Sequence, residues 1–314
     1  MTYKILISDK LGQAGLDRLA EMSDMSYDMI LGLSKDELIA RIPEYDALII
    51  RSDTRPDADI IAAGSKLKVI GRAGIGVDNV DVAAATAHGV MVMNTPRSNS
   101  VATAEQTMAL MLAISRHTVA AHNSVAAGEW ARAQFMGMEL DGKSLGVIGL
   151  GYIGRLVARR ALAFGMKIVA YDPYVSGELE MKMVSLPELL AQADIITLHS
   201  VVTPETLNMI NADTISQMKN GVIIVNVARG KLIDEQALAA ALQSGKVAAA
   251  AVDVYQQEPP VGSPLIGLPN VIHTPHLGAS SKEAQRRVGG EIVEQVADAL
   301  RGTDFRNVGN SPPA

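Results

Sequence analysis

"SLGVIGLGYIGRLVARRALAFGMKIVAYD", residues 144–172, decides the fold. An apolar run of strand length opens it. Gly149, Gly151 and Gly154 follow in the spacing G-x-G-x-x-G, then a helical pattern, then a second apolar run that ends in Asp172. The glycine triplet alone is a weak signal. Strand, glycine turn, helix, strand and terminal acid in this order mark a dinucleotide-binding βαβ unit. Gly149 permits the tight turn, Gly151 lets the backbone approach a pyrophosphate, and Gly154 lets helix and strand close on each other. The free N–H groups of the helix start then face the phosphates. Asp172 is placed to accept hydrogen bonds from the adenosine ribose and to repel a 2′-phosphate. "DPYVSG", residues 172–177, supplies no arginine to reverse that. NAD is therefore expected rather than NADP. The bland alternatives are a glycine-rich turn that binds nothing and one that binds a flavin.

Outward from this unit, strand-length apolar runs alternate with helical patterns. Before it come the strands "YKILISD", "YDALIIRS", "LKVIGRAG" and "VMVMNTP", separated by four helical stretches. After it come "DIITLHS", "GVIIVNVAR", "VAAAAVDV" and "NVIHTPH", which with the two opening runs make a six-strand unit. Short apolar strands between helices predict parallel sheets covered on both faces, so the expected class is α/β with two doubly wound domains. "SVATAEQTMALMLAISRHTVAAHNSVAAGEW", residues 100–130, reads as one long helical stretch that is apolar on most sides. Met108, Leu110, Met111, Leu112 and Ile114 point to several faces. One domain rarely covers such a helix, which predicts a subunit interface. The closing stretch "SSKEAQRRVGGEIVEQVADALRG" is expected to be a helix ending at Gly302 and packing back on the first domain.

The chain has 314 residues, enough for two domains, with 48% hydrophobic and 20% charged residues, a soluble globular balance. A net charge of −6 without a basic run argues against nucleic acid. The absence of cysteine excludes disulfides, thiolate catalysis and cysteine-ligated zinc, and favours a cytoplasmic setting. No signal peptide and no membrane span are evident.

Ligands of open parallel sheets bind beyond the carboxyl ends of the strands. Three late strands end in polar groups: Asn226 followed by Val227, Ala228 and Arg229; Asp253 followed by Glu258; and His273 followed by His276. Each has an ordinary structural reading. Their conjunction on one sheet edge does not. Pro275 keeps the two histidines off a shared helix face, and no third ligand accompanies them, so no metal is expected. His273 sits inside the apolar run and reads as structural. His276, in the loop, is the better base, and His199 is a minor candidate for touching cofactor or substrate.

The chain resembles the D-2-hydroxyacid dehydrogenase family over nearly its whole length. The resemblance is carried by "GRAGIGVDNVD", "VMNTP", "FMGMELDGKSLGVIGLGYIG", "NVARG", "DVYQQEPP" and "PHLGASSKEAQ". It implies a Rossmann NAD domain, residues 99–284, inserted into a flavodoxin-like substrate domain made of residues 1–98 and 285–314. It implies Arg229 as substrate anchor and Glu258 with His276 as a coupled acid–base pair. The loop Arg72, Ala73, Gly74, Ile75 and Gly76 would offer backbone N–H groups to a substrate carboxylate. Further cofactor contacts would fall on Ile75, Tyr152, Ile153, Ser200, Val227, Ala228, Asp253 and Gly278. The long helix after Asn99 would form a homodimer or part of a dimer of dimers. These roles suit hydride transfer at C2 of a 2-hydroxy acid: histidine moves the hydroxyl proton, guanidinium holds and polarises the reacting group, and the carboxylate orients the imidazole.

Arg51, Arg72 and Arg97 add cations that suit a second anion on the substrate, a phosphate, sulfonate or carboxylate. The expected substrate is a 2-hydroxy or 2-keto acid of this kind, foremost 3-phosphoglycerate. Against that, only Arg132 is basic just after the tryptophan of "GEWARAQFMG", where more positive charge would favour a phosphate. The alternatives are hydroxypyruvate, glyoxylate or sulfolactate as substrate, or a non-catalytic NAD-sensing protein like the corepressors of this fold. The chain runs only to Ala314, so the regulatory domain of longer family members is not expected.

Overall fold

A computed structural model of the chain describes residues 2–175 and 181–310. The last two residues of "DPYVSG" and residues 311–314 of the expected substrate domain lie outside them. In chain order the elements are β1 (Tyr3–Ile7), α1 (Gln13–Ala20), β2 (Met25–Met29), α2 (Lys35–Arg41), β3 (Ala47–Ile50), α3 (Ala58–Ala63), β4 (Val69–Arg72), α4 (Val82–Ala87) and β5 (Met91–Asn94). Then follow α5 (Ser100–Ser115), α6 (Thr118–Ala126), β6 (Ser144–Ile148), α7 (Tyr152–Ala163), β7 (Lys167–Tyr171), β8 (Lys182–Met183), α8 (Leu186–Gln192) and β9 (Ile195–Leu198). The chain closes with α9 (Ala212–Ser216), β10 (Val222–Asn226), α10 (Glu235–Ser244), β11 (Val247–Val252), β12 (Val271–His273) and α11 (Lys282–Arg301). It divides into two compact units, Met1–Asn99 with Ala279–Ala314, and Ser100–Gly278.

The first unit holds a parallel sheet in the order β2-β1-β3-β4-β5. Strand β2 was not expected. Its sequence, MSYDM, buries only Met25 and so shows no apolar run. It nonetheless pairs with β1 along its whole length, from Tyr3 opposite Met25 to Ile7 opposite Met29. The closing helix α11 does return to this unit. Val288, Ile292, Val293 and Val296 fill the core with Ile5, Ile7, Val69 and Met93. Gly302, at φ 71°, ends the helix in the left-handed region where glycine carries no steric penalty. Beyond it, Val308 bridges Met93 in antiparallel fashion, and Gly309 N–H donates to the Val92 carbonyl at 2.8 Å.

The second unit holds seven parallel strands in the order β12-β11-β10-β9-β6-β7-β8. The extra strand is the two-residue β8, too short to read from sequence. The expected single long helix is two. Ser115 gives its carbonyl to the N–H of Met138 at 2.9 Å, and His117 turns to φ 51°, so α5 stops and α6 starts anew. The reason offered for a subunit interface holds only in part at α5, where Leu112 is half-buried and Val101 exposed. Met108, Leu110, Met111 and Ile114 are all buried in the unit's own core, against Val157, Val225 and Ala251. Uncovered apolar groups lie further on: Val119, Val125, Trp130 and Met136 are exposed, the last two at 78% and 84%.

Candidate active site and cofactor cradle

All seven strands of the second sheet run parallel, so their carboxyl ends share one edge. At the centre of that edge, β6 turns at Gly149 and enters α7. Gly149 stands at φ 93°, and a side chain there would press on the backbone of His199. A Cβ on Gly154 would collide with the Gly149 carbonyl, so turn and helix touch. Above Gly151 there is open space, at the first turn of a twelve-residue helix. This is the shape that a pyrophosphate needs. Asp172, just past β7, accepts the Leu150 N–H at 2.8 Å and the Tyr174 N–H at 2.9 Å. The acid thus also braces the glycine turn. Arg155, which sequence reading missed, adds a second brace by donating from Nε to the Leu150 carbonyl at 2.8 Å. Of the other expected contacts, Tyr152 is exposed, Ile153, Ser200 and Ala228 are half-buried, and Val227 is buried.

The neighbouring strand ends carry the polar set. Asn226 ends β10, and its side chain spans the next turn: Oδ1 accepts the Ala228 N–H at 3.0 Å, and Nδ2 donates to the Arg229 carbonyl at 2.9 Å. Gly230 then packs so closely on the Tyr255 carbonyl that no side chain fits between them. That contact joins the Arg229 turn to the loop bearing Glu258. The loop is pinned by Glu235, a buried carboxylate at the start of α10. It accepts the Gln256 N–H at 2.8 Å and the Ser263 hydroxyl at 2.5 Å.

Glu258 and His276 meet directly, with Oε2 to Nδ1 at 2.7 Å. Burial pushes the Glu258 carboxyl up, but the hydrogen bond and charge of His276, the Tyr255 N–H and the Arg229 charge outweigh it. Its pKa lies below the usual 4.5. Engagement of Nδ1 leaves Nε2 as the ring atom free to exchange a proton with a substrate. The other histidines of this edge do different work. His273 Nδ1 meets the Tyr255 hydroxyl at 3.0 Å, and burial lowers its pKa. His199 is pushed down to about 3 by burial, so it is too weak a base for neutral-pH chemistry. Among the described residues no cluster of His, Cys, Asp or Glu could hold a metal ion.

The first unit presents its own strand ends. Arg51 follows β3, Arg72 ends β4, and Arg97 lies exposed three residues past β5. Asp9 fixes the turn at Arg51, accepting the N–H groups of Arg51 at 2.6 Å and Asp53 at 3.2 Å. Arg51 Nε is buried and has no hydrogen-bond partner among the described residues. Past Arg72 the chain turns at Gly74, φ 155°, where a Cβ would strike the Arg72 guanidinium. The loop is held by its carbonyls: Thr95 N–H donates to Gly74 at 2.9 Å, and Asn94 Nδ2 donates to Ile75 at 2.5 Å. Two of its N–H groups are not left for a ligand as expected: Ala73 donates to the Ile50 carbonyl and Gly74 to the Arg72 carbonyl, both at 2.8 Å. Asp9, Asn94 and Glu235 escaped sequence reading because what they hold lies far along the chain.

Comparison with known proteins agrees with this geometry. Residues 108–278 match the family described as D-isomer specific 2-hydroxyacid dehydrogenase, NAD binding domain. The chain belongs to that family. It is 48% identical over 314 residues to D-3-phosphoglycerate dehydrogenase of Methanocaldococcus jannaschii, covering 98% of this chain and 60% of that protein. It is 46% identical to the Rattus norvegicus enzyme of the same name, covering 98% and 58%. The chain therefore spans about 60% of the length of the curated relatives it matches. Among solved structures, a protein of Thermus thermophilus superposes with a TM-score of 0.91 at 38% identity, covering 98% and 100%. A glyoxylate reductase from Paecilomyes thermophila superposes at 0.89 and 31%, covering 98% of each chain. As in its family, the chain's matched domain is the NAD-binding one, and the open cradle at Gly151 fits that cofactor.

Proposed function

We propose that this protein is an NAD-dependent dehydrogenase acting at C2 of a D-2-hydroxy acid that carries a second anionic group, foremost 3-phosphoglycerate. The 2.7 Å contact between Glu258 and His276 carries the reading, because it supplies an oriented acid–base beside the cofactor cradle. Bound NAD would accept the hydride from C2. His276 Nε2 takes the hydroxyl proton as the C–O bond gains double-bond character, giving the 2-keto acid, NADH and an imidazolium. Glu258 offsets the charge formed on the ring. Arg229 holds and polarises the reacting group. Reduction runs the same steps backwards. Arg51, Arg72, Arg97 and the Ile75 N–H bind the substrate's anionic groups. Gly149, Gly151, Tyr152, Ile153, Gly154, Asp172, Ser200, Val227, Ala228, Asp253 and Gly278, with Ile75, serve the cofactor.

No helix among the described residues is long and apolar enough to cross a membrane. We infer a cytoplasmic enzyme that assembles as a homodimer or dimer of dimers through α6 and the segment after it. The exposed Val119, Val125, Trp130 and Met136 support that assembly. The likeness to a glyoxylate reductase supports a second reading, reduction of glyoxylate or hydroxypyruvate. A panel of 2-keto acids with NADH, and of 2-hydroxy acids with NAD, decides between them. Turnover of phosphorylated acids well above glyoxylate supports the first reading. No turnover of any acid leaves a cofactor-sensing protein.

A further inference from the structure

We propose that Tyr255, through its bond to His273, is a positioning residue that sets the Glu258 loop against the strand leading to His276. The inference rests on the dehydrogenase reading above. Tyr255 is 7% exposed and lies three residues past β11 and three before Glu258. It touches each arm of the proposed machinery. Its N–H donates to Glu258 Oε1 at 3.2 Å. Its carbonyl lies against Gly230, next to Arg229, where no Cβ would fit. Its hydroxyl lies 3.0 Å from Nδ1 of His273, which ends β12 three residues before His276. One residue thus ties together the segments that carry Arg229, Glu258 and His276.

Filling space does not explain the pair. A phenylalanine would occupy the place of the tyrosine, and a leucine could stand for the histidine. The hydroxyl and the ring nitrogen are both withdrawn from water, and each is costly to bury alone. They satisfy one another at only one placement of the loop along β12, so the bond specifies that placement as apolar packing cannot. Strands β11 and β12 pair with Val252 opposite His273, and the chain that leaves β11 is drawn back to the strand beside it. The two rings lie nearly parallel, 21° apart with 6.2 Å between centres. The bond is one between neutral groups at neutral pH. Burial, with the negative charges of Asp253, Glu235 and Glu258, pushes the hydroxyl up to about 12, and burial lowers the imidazole. Loosening this bond frees the loop at its root, where Tyr255 N–H steadies the Glu258 carboxylate, and the contact of Glu258 with His276 then loses its fixed geometry.

The test uses Tyr255→Phe, His273→Leu and the double variant in the full chain. Turnover in both directions, the dissociation constant of NAD by calorimetry, the melting temperature and the His276 ring signal in the NMR spectrum, assigned with His276→Gln, are measured for each. Misplacing a reacting group by about 1 Å costs on the order of 100-fold, and a loosened loop moves it by less. Each single variant should therefore lower kcat by roughly tenfold, with KM and NAD affinity within about threefold of wild type. The His276 signal should move in both. The double variant should lose no more than either single one, because a shared bond can be lost only once. Losses that multiply in the double variant overturn the proposal. A kcat and a His276 signal that stay at wild-type values while the melting temperature falls overturn it too, and leave the pair a packing role. An NAD dissociation constant that rises as far as kcat falls overturns it in favour of a cofactor contact. A wild type that turns over no acid defeats the dehydrogenase reading, and the His276 signal across the same variants still decides the role of the pair.

Discussion

Glu258 uses both oxygens of its carboxylate: Oε2 meets Nδ1 of His276 at 2.7 Å, while Oε1 accepts the Tyr255 N–H at 3.2 Å. The second bond fixes the carboxylate to its own loop, so the first one can fix the ring. The pair is held ionised on the carboxylate side, since Glu258 lies below its ordinary value despite partial burial. Its stabilising contribution is present above pH 4.5 and is lost as pH falls through the lower, folded-state value. Reduction needs a proton on the ring, and Glu258 is placed to hold that ring and offset its charge. Glu258→Gln should therefore lower the maximum of the kcat/KM profile. Profiles in both directions check this. An unchanged maximum would take the role away from Glu258.

His276→Ala should remove about 10²- to 10⁴-fold of activity in both directions, the usual worth of a general acid–base group. Binding of NAD should hardly change, because the Gly149–Gly154 cradle is untouched. Near-normal rates would place the proton transfer elsewhere, and His199 is too weak a base to inherit it.

Asp172→Ala should weaken NAD binding and raise the NADPH-to-NADH ratio of catalytic efficiency. Two things are lost at once: an acceptor for the ribose and the negative charge that repels a 2′-phosphate. The Leu150 N–H that Asp172 now engages at 2.8 Å is freed as well. A wild-type preference for NADPH would contradict the assignment.

Arg97→Ala should raise KM for a phosphorylated or sulfonated acid by about 10- to 100-fold, the worth of a hydrogen bond to a charged group. KM for glyoxylate should change far less. Equal losses on both would remove Arg97 from substrate recognition.

His199 makes a prediction about stability rather than rate. It is held neutral in the fold, with its pKa pushed down to about 3 from 6.5. The unfolded chain binds this proton first, so folding stability should fall as pH drops from about 6.5 toward 3. His273, also lowered, adds to the trend. Urea unfolding at several pH values should show a shallower acid slope in His199→Gln than in wild type. Parallel slopes would mean that the ring is hydrated after all.

A sixfold run of parallel strands and a complete glycine fingerprint were readable because both depend on neighbours in sequence. Glu258 and His276 were each readable as a polar residue in the loop after a strand of one sheet, and their pairing as what the family resemblance implies. What stayed hidden depends on distance or on edges. Strand β2 buries one residue of its five and shows no alternation. The break at His117 depends on Met138 claiming the carbonyl of Ser115. Asp9 braces Arg51 across 42 positions, and Glu235 braces Gln256 across 21. The crowding of α5 was legible, but its cover was not: Val157, Val225 and Ala251 supply it from later in the same unit.

The return of α11 to the first unit sets a timetable. A ribosome releases residues 100–278 as one unbroken block, whereas the first unit is split around them. Ile292, Val293 and Val296, which sit at its core, emerge only after that block. At about 5–20 residues per second, the early half waits on the order of ten seconds or more with one face of its sheet covered only in part, by Leu11 and Leu19. The later-made unit is thus the first that can finish folding. A chain truncated before Lys282 and released should hold a protease-resistant second unit and an open first one.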